Sequence, residues 1–368
     1  MDILATLSSG IGGIVPVILV ISVLVFVHEW GHYAVARWYG VHVDVFSIGF
    51  GPELGHVMDK AGTRWRFALI PLGGYVKFRG DEDATSMKAA QPTEAGDIQS
   101  GHFHAQPLLP KIWILLAGPA ANIVFALLVL WAFYFSHGIA VIEPIVGKVV
   151  PDSLAERYGI QENDHILAID EQDVDDFLAM RALIQSHEAG TDMTIVLLRE
   201  GQQLRLVIPE MASSTLGFYA TGSVREKDGQ TQLQETGLGD SLVLAWNETW
   251  FISGAIIRFI GKIVRGDGSM DDVGGPVRIA EGTSMAWEQG WASLVRLVAL
   301  ISINLGIFNL LPIPPLDGGQ IFLYVAEKVG KRNSEALRIW GYQLGFFFLI
   351  TVLVFVTWHD IVRLIGNG

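Results

Sequence analysis

The first feature that could carry chemistry is a pair of histidines, His28 and His32, with Glu29 beside the first of them. Residues four apart on a helix share one face, so the two imidazoles would point the same way. Neutral imidazole nitrogens bind zinc at about 2.0–2.1 Å. Glu29 could take a proton from the attacking water and later deliver it to a leaving amine. The spacing therefore predicts a zinc hydrolase with two histidine ligands and a glutamate base.

The position of this motif matters as much as its spacing. Residues 11–27, which lead directly into His28, carry no charge. A soluble helix could show two histidines four apart by accident. Ionisable side chains at membrane depth, by contrast, are energetically expensive and therefore usually functional. The context favours a catalytic site inside a membrane.

A catalytic zinc needs a third protein ligand and an open coordination position. Asp317 is the best candidate, because it follows a proline-rich break in the third apolar segment and precedes two glycines. An aspartate here could instead be a helix N-cap, which is a common role. Beside the histidine pair the ligand interpretation is favoured, and it requires the first and third apolar segments to pack together.

Three asparagines in the apolar segments and two histidines between them allow several roles. Asn309 could bond a neighbouring helix or donate to the substrate carbonyl and the developing oxyanion, and both roles stay open. Asn304 and Asn122 are expected to pack helices. His102 and His104 could form a second metal site, but an exposed loop is the favoured setting for them.

Composition indicates a membrane protein with some soluble mass. The chain has 368 residues, of which 51% are hydrophobic and 17% charged, and its formal net charge is −13. Ordinary soluble domains are about 45–50% apolar and about 25% charged. The negative charge argues against a nucleic-acid partner. With no cysteine in the chain, disulfides, cysteine-ligated zinc and thiol catalysis are excluded.

Four apolar segments are long enough to cross a bilayer, for which roughly 17–25 residues are needed. The first ten residues contain no Lys or Arg, so we expect the first segment to be retained and not cleaved as a signal peptide. Eight Lys and Arg residues in 37–111 and four in 312–338 place these loops inside and both termini outside. The segments are Ile11–Val27, Ile112–Phe135, Ala292–Leu311 and Tyr342–Trp358.

The segments between the spans have their own patterns. Residues 41–79 alternate and are punctuated by glycine, which predicts a β-hairpin broken at 49–52 and 71–74 and able to dip into the membrane. Residues 144–209 predict a small α+β domain. Residues 211–239 are polar and predict a linker, and 242–263 are amphipathic and predict a helix on the membrane surface.

The predicted architecture is thus a polytopic α-helical membrane protein with a membrane-associated β-hairpin and one inserted α+β domain. Its parts are 1–40 (first membrane helix with the histidine motif), 41–109 (inside loop with the β-hairpin), 110–137 (second membrane helix), 138–210 (α+β domain), 211–241 (linker), 242–285 (surface helix and connection), 286–338 (third membrane helix and Asp317 segment) and 339–368 (fourth membrane helix and tail).

Taken together, these residues resemble the site-2 protease family of intramembrane zinc metalloproteases, and most closely its regulator-of-sigma-E branch. The resemblance covers most of the chain. The matching segments, in family order, are HEWGH at 28–32, FSIGFGPEL at 46–54, IPLGGYVKFRGD at 70–81, AGPAAN at 117–122, GGPVRIAE at 274–281 and NLGIFNLLPIPPLDGG at 304–319.

The resemblance implies zinc bound by His28, His32 and Asp317, with Glu29 as catalytic base and Asn309 at a position linked to substrate handling. It implies that the 41–80 hairpin guides the substrate strand and that 144–209 is PDZ-like. The implied substrates are single-pass membrane proteins of the anti-sigma factor type, and remnant signal peptides, in a bacterial inner membrane. The chain has room for one PDZ-like domain, whereas well-known members of this branch carry two.

Two other classes of protein share part of this pattern. A metal transporter also places His, Asp and Glu in membrane helices. An inactive scaffold could bind partners through the PDZ-like domain. Neither explains a glutamate at the general-base position, so the hydrolase interpretation is preferred, and a Glu29→Gln variant distinguishes the three.

Overall fold

A computed structural model describes the chain except residues 1–2, 81–100, 152, 189, 210–215, 217, 221–225, 228–229, 267–273, 331–334 and 367–368. The chain forms two compact units, 1–133 with 242–368, and 134–241. The helices are α1 (Ile3–Trp38), α2 (Leu108–His137), α3 (Leu154–Arg157), α4 (Phe177–Ser186), α5 (Leu238–Arg265), α6 (Pro276–Glu288), α7 (Trp291–Asn309), α8 (Asp317–Gly330) and α9 (Glu335–Gly366). The longer strands are β1 (Val43–Met58), β2 (Arg64–Phe78), β4 (Val146–Val149), β5 (His165–Ile169), β7 (Met193–Arg199) and β8 (Gln202–Ile208). The short strands are β3 (Ile139–Ala140), β6 (Gln172–Asp173), β9 (Phe218–Ala220), β10 (Glu226–Lys227), β11 (Gln230–Thr231) and β12 (Leu233–Gln234).

Four helices of the described residues are long and apolar enough to cross a membrane, as the sequence predicts. They are α1, α2, α7 and α9, and a helix suits a single apolar segment in lipid because it pairs the backbone groups within the segment itself. α1 packs against α7, as the Asp317 hypothesis requires. α9 leaves most of its large apolar side chains exposed, which suits contact with lipid.

α5 and α6 connect the unit 134–241, called the inserted unit below, to α7, the third span. α5 is one 28-residue amphipathic helix that exposes Trp246 and Trp250, and it extends beyond the predicted 242–263. α6 was not predicted as an element. Its N-cap, Gly275, offers no side chain, and the buried Asp360 of α9 instead accepts from the Arg278 backbone N–H at 3.1 Å. This contact from a distant helix satisfies one of the free amides at the start of α6.

β1 and β2 form the predicted hairpin, but without the predicted breaks. Each strand runs on through the glycines, and register shifts let each pair twice: Phe46 lies opposite both Val76 and Trp65. The expectation of breaks at 49–52 and 71–74 was wrong because bulges absorb the irregular backbone without ending the strand. The hairpin therefore folds into a sheet in which 45–48 lies between 64–67 and 74–78, and 74–78 forms one of the two edges.

The turn of this hairpin is fixed by Asp59. Its carboxylate accepts from the Ala61 and Thr63 amides, from the Trp65 indole at 3.0 Å and from the Tyr33 hydroxyl of α1 at 3.1 Å. Burial alone would raise the pKa of Asp59, but these hydrogen bonds outweigh it and lower the pKa to about 2. The turn is thereby attached to the helix that carries the histidine motif.

The unit 134–241 is a small α+β domain. Its four-stranded antiparallel sheet has the order β6-β5-β7-β8, and α4 covers a core that includes Ile166, Ile195 and Met180. The expectation of a linker over 211–241 was wrong where the chain is described: β9 pairs with β4, and β12 pairs with β3. β9 and β12 are only three and two residues long, too short to show the alternation that marks a half-buried strand. Residues 211–215 and 221–225 lie outside the described residues.

Candidate active site

The two histidines of the motif share one face of α1, as the helical spacing requires. Their Nε2 atoms are 3.2 Å apart and the rings meet edge to face. Both side chains are buried. A metal ion bound by both ring nitrogens would explain so close an approach.

Asp317 is brought to the same point from the other end of the chain. Its Oδ2 lies 3.2 Å from His28 Nε2 and 3.5 Å from His32 Nε2. Asp317 is the first residue of α8, and an added Cβ on the next residue, Gly318, would come within 2.1 Å of the Leu310 carbonyl oxygen. Only glycine therefore allows the chain to fold back closely enough to place the aspartate.

These three side chains fit a metal ion. Among the described residues they form the only group of three or more His, Cys, Asp or Glu whose ligand atoms all lie within 4.8 Å of one another. Asp317 Oδ2 is buried and has no hydrogen-bond partner, which is costly unless a cation completes its environment. Two imidazoles and one carboxylate, with a fourth position open, match the donor set of a catalytic zinc.

α2 forms the wall behind the histidines. The Ile114 carbonyl lies 2.8 Å from His32 Nδ1, and the Asn122 amide lies 3.1 Å from His28 Nδ1. A Cβ on Gly118 would come within 2.3 Å of His32 Nε2, so α2 passes directly against the ring edges. The sequence assigned Asn122 only to helix packing, and it did not identify Ile114, whose contribution comes from its backbone.

Glu29 and Asn309 border the same space. A cavity of about 500 Å³ is lined by Glu29, Asn309, the three candidate ligands and the edge strand from Gly73 to Val76. Asn309 Nδ2 lies 3.5 Å from His28 Nε2. All five predicted site residues are therefore brought together.

The remaining polar residues of the sequence prediction fall elsewhere. His102 and His104 are partly buried, and His104 lines the cavity, so the expected exposed loop is not observed. They are not part of the one metal-binding group found in the described chain. Asn304 is partly buried within α7.

Comparison with known proteins agrees with this arrangement. The model of peptidase family M50 matches residues 16–352. A protein of Agrobacterium fabrum (strain C58) is 35% identical over 369 residues, covering 96% of this chain and 97% of its own. One from Mesorhizobium japonicum is 37% identical, covering 95% and 99%. One from Campylobacter jejuni is 35% identical, covering 95% and 93%.

All three relatives are provisionally named zinc metalloproteases. The family match spans most of the chain, including the histidine motif, the α2 wall and the Asp317 segment. The chain therefore belongs to peptidase family M50, the site-2 protease family, and is a membrane zinc metalloprotease.

Proposed function

We propose that this protease hydrolyses peptide bonds within or near the transmembrane segments of single-pass membrane proteins, using zinc held by His28, His32 and Asp317. The observation that carries the proposal is the convergence of these ligand atoms within 4.8 Å beside Glu29. They meet in a cavity walled by helices long enough to span a membrane. A cleavage site at that depth would meet its substrate in the bilayer.

Each side chain has a distinct role in this scheme. Zinc, when bound, would polarise the scissile carbonyl and acidify water. Glu29 takes the proton of the attacking water and passes it to the leaving amine. The Asn309 amide, on the same side of the cavity as His28, donates to the developing oxyanion.

The substrate binds to this site as an extended strand. A helical substrate has its carbonyls occupied, so it must unwind before hydrolysis, and an unpaired sheet edge can stabilise the unwound form. Val41, Val43 and Val45 alternate as in a strand, but 45–48 is paired on both sides and offers no free edge for strand addition. The edge stretch 74–78 lines the cavity and is the better acceptor for a substrate strand.

Substrates of the anti-sigma factor type, and remnant signal peptides, fit this scheme because they are single transmembrane segments. The enzyme would lie in the bacterial inner membrane with both termini and the inserted unit outside, as the Lys and Arg distribution favours. The inserted unit is PDZ-like and either recognises a substrate terminus or excludes bulky substrates.

The catalytic proposal is tested with Glu29→Gln. This variant should bind zinc as tightly as the wild type but lose cleavage of a co-expressed, tagged single-pass substrate, because it cannot accept a proton. Glu156→Gln, the same chemical change at an exposed position of the inserted unit, is the control and should cleave normally. Wild-type cleavage by Glu29→Gln would exclude Glu29 as the base, whereas a transporter or scaffold predicts no cleavage by the wild type either.

The two roles of the inserted unit are separated by deletion. β3 pairs with β12 and β4 with β9, so a clean deletion must remove 139–234, beyond the 144–209 predicted from sequence. Loss of a steric filter predicts new cleavage of intact, untruncated substrates. Loss of recognition predicts less cleavage of truncated ones.

A further inference from the structure

Asn122 stands out among the groups around the site because its contacts do not suit a metal-bound histidine. It is fully buried in α2, and its amide nitrogen lies 3.1 Å from His28 Nδ1. Its amide oxygen is buried without any hydrogen-bond partner. A buried, unpaired oxygen beside a ligand side chain calls for an explanation.

The chemistry of His28 decides which end of the amide should face it. His28 Nε2 is the nitrogen that faces Asp317 and His32, so a metal would bind there. A neutral imidazole bound through Nε2 keeps its proton on Nδ1, which can then only donate. An amide N–H placed against that N–H makes no hydrogen bond, whereas an amide oxygen accepts from it.

A half-turn of the amide supplies that acceptor. The nitrogen and oxygen ends have nearly the same size and shape, so they exchange places without moving the helix. No hydrogen bond holds the oxygen at its present position. The backbone at Asn122 is fixed independently, because Ser302 Oγ of α7 donates to its carbonyl at 2.8 Å.

At His32, an acceptor already faces Nδ1. Its Nδ1 lies 2.8 Å from the Ile114 carbonyl, which can only accept, and its Nε2 faces Asp317. Ile114 and Asn122 are eight residues apart on α2, close to two helical turns, and so lie on one face of the helix. One helix face would thus offer one acceptor to each imidazole.

We propose that Asn122 is a positioning residue whose amide oxygen accepts the Nδ1–H of His28, fixing its tautomer and ring orientation for zinc. The inference rests on the proposed role of His28 as a ligand. Groups that orient metal-binding histidines in this way typically change metal affinity by about 10–100-fold when removed.

Two substitutions at Asn122 test this role, with zinc affinity measured on the purified full-length protein by competition with a chromophoric chelator. Asn122→Asp can accept but not donate when ionised, and it should bind zinc within a few-fold of the wild type or more tightly. Asn122→Leu, of similar size, can do neither and should weaken zinc binding by about 10–100-fold. The visible spectrum of the cobalt-loaded protein should stay tetrahedral in the aspartate variant.

Controls separate this role from packing and from the proposed function. Ser302→Ala removes the neighbouring helix contact and should leave zinc affinity within a few-fold; a loss as large as that of Asn122→Leu would assign the effect to packing. His28→Ala should lose zinc, and tight binding by that variant would instead refute the ligand set of the proposed function.

The proposal is overturned if Asn122→Leu binds zinc like the wild type, or if Asn122→Asp loses as much affinity as Asn122→Leu. Should the leucine variant fail to fold, the aspartate variant still decides. A donating amide predicts that aspartate weakens binding, and an accepting amide predicts that it does not.

Discussion

Replacing Gly118 by alanine should disrupt the metal site although it adds only a methyl group. By helix propensity alone the change should stabilise α2 by roughly 0.5–1 kcal/mol. The structure predicts the opposite, because the new Cβ would lie 2.3 Å from His32 Nε2 and 2.9 Å from His28 Cε1. Ordinary contacts begin at 3.4 Å, so His32 or α2 must move by about 1.1 Å.

Neither neighbour can move without cost to the site. The His32 ring contacts the Ile114 carbonyl, which belongs to α2, as Gly118 does. Moving α2 away from the ring would therefore displace the ring as well. Metal–ligand distances tolerate only about ±0.2 Å, and a misplacement of about 1 Å can cost about 100-fold in activity. We therefore expect zinc affinity and substrate cleavage each to fall by about 100-fold or more.

The assay compares Gly118→Ala with Gly282→Ala, a helical glycine of α6 with no atom within 4 Å of its added Cβ. Zinc content, chelator competition and cleavage of a tagged single-pass substrate are measured for both. Thermal unfolding without metal shows whether Gly118→Ala remains folded. A folded Gly118→Ala protein with wild-type zinc affinity would refute the close-contact argument.

Three further predictions follow from other contacts. The pKa of Asp59 is lowered from 3.8 to about 2, so its stabilisation of the hairpin turn should be complete above about pH 4 and lost as pH falls towards 2. Trp65 fluorescence should report this loss in the wild type and not in Asp59→Asn. Asp360→Ala should lower the free energy of unfolding by about 1 kcal/mol, because the α6 cap is lost. Asp360→Asn should lower it by less, and an unchanged thermal midpoint in Asp360→Ala would exclude a capping role. Zinc at about 100 times its Kd should stabilise the protein by about 2.7 kcal/mol; chelation should remove that increment from the wild type and have no effect on His28→Ala, as followed by thermal unfolding.

Much of the helical architecture and the candidate ligand set can be predicted from the sequence. The four spans follow from uncharged length, and the histidine pair follows from helical period. Asp317 could be proposed only because a catalytic zinc needs a third ligand, since nothing local distinguishes it from an N-cap. The structure brings it within 3.2 Å of His28, across 289 residues of sequence.

What the sequence could not show were contacts made by backbone or by irregular pairing. The Ile114 carbonyl belongs to the backbone, which every residue type carries, so no side-chain pattern reports it. β9 and β12 are only three and two residues long, too short for a periodic signal. Asn122 did carry a signal, a polar residue in an uncharged span, but that signal is shared with ordinary helix packing.

The arrangement of α2 explains how the candidate metal site is built between helices that are long and apolar enough to span a membrane. Ile114, Gly118 and Asn122 follow one another at four-residue intervals and therefore form one stripe along the helix. The first supplies an acceptor to His32, the second leaves room for both rings, and the third contacts His28. Substitutions on this stripe should thus act on zinc binding, although none of the three residues is a ligand. Substitutions on the lipid side of the same helix, such as at the exposed Leu128, should not.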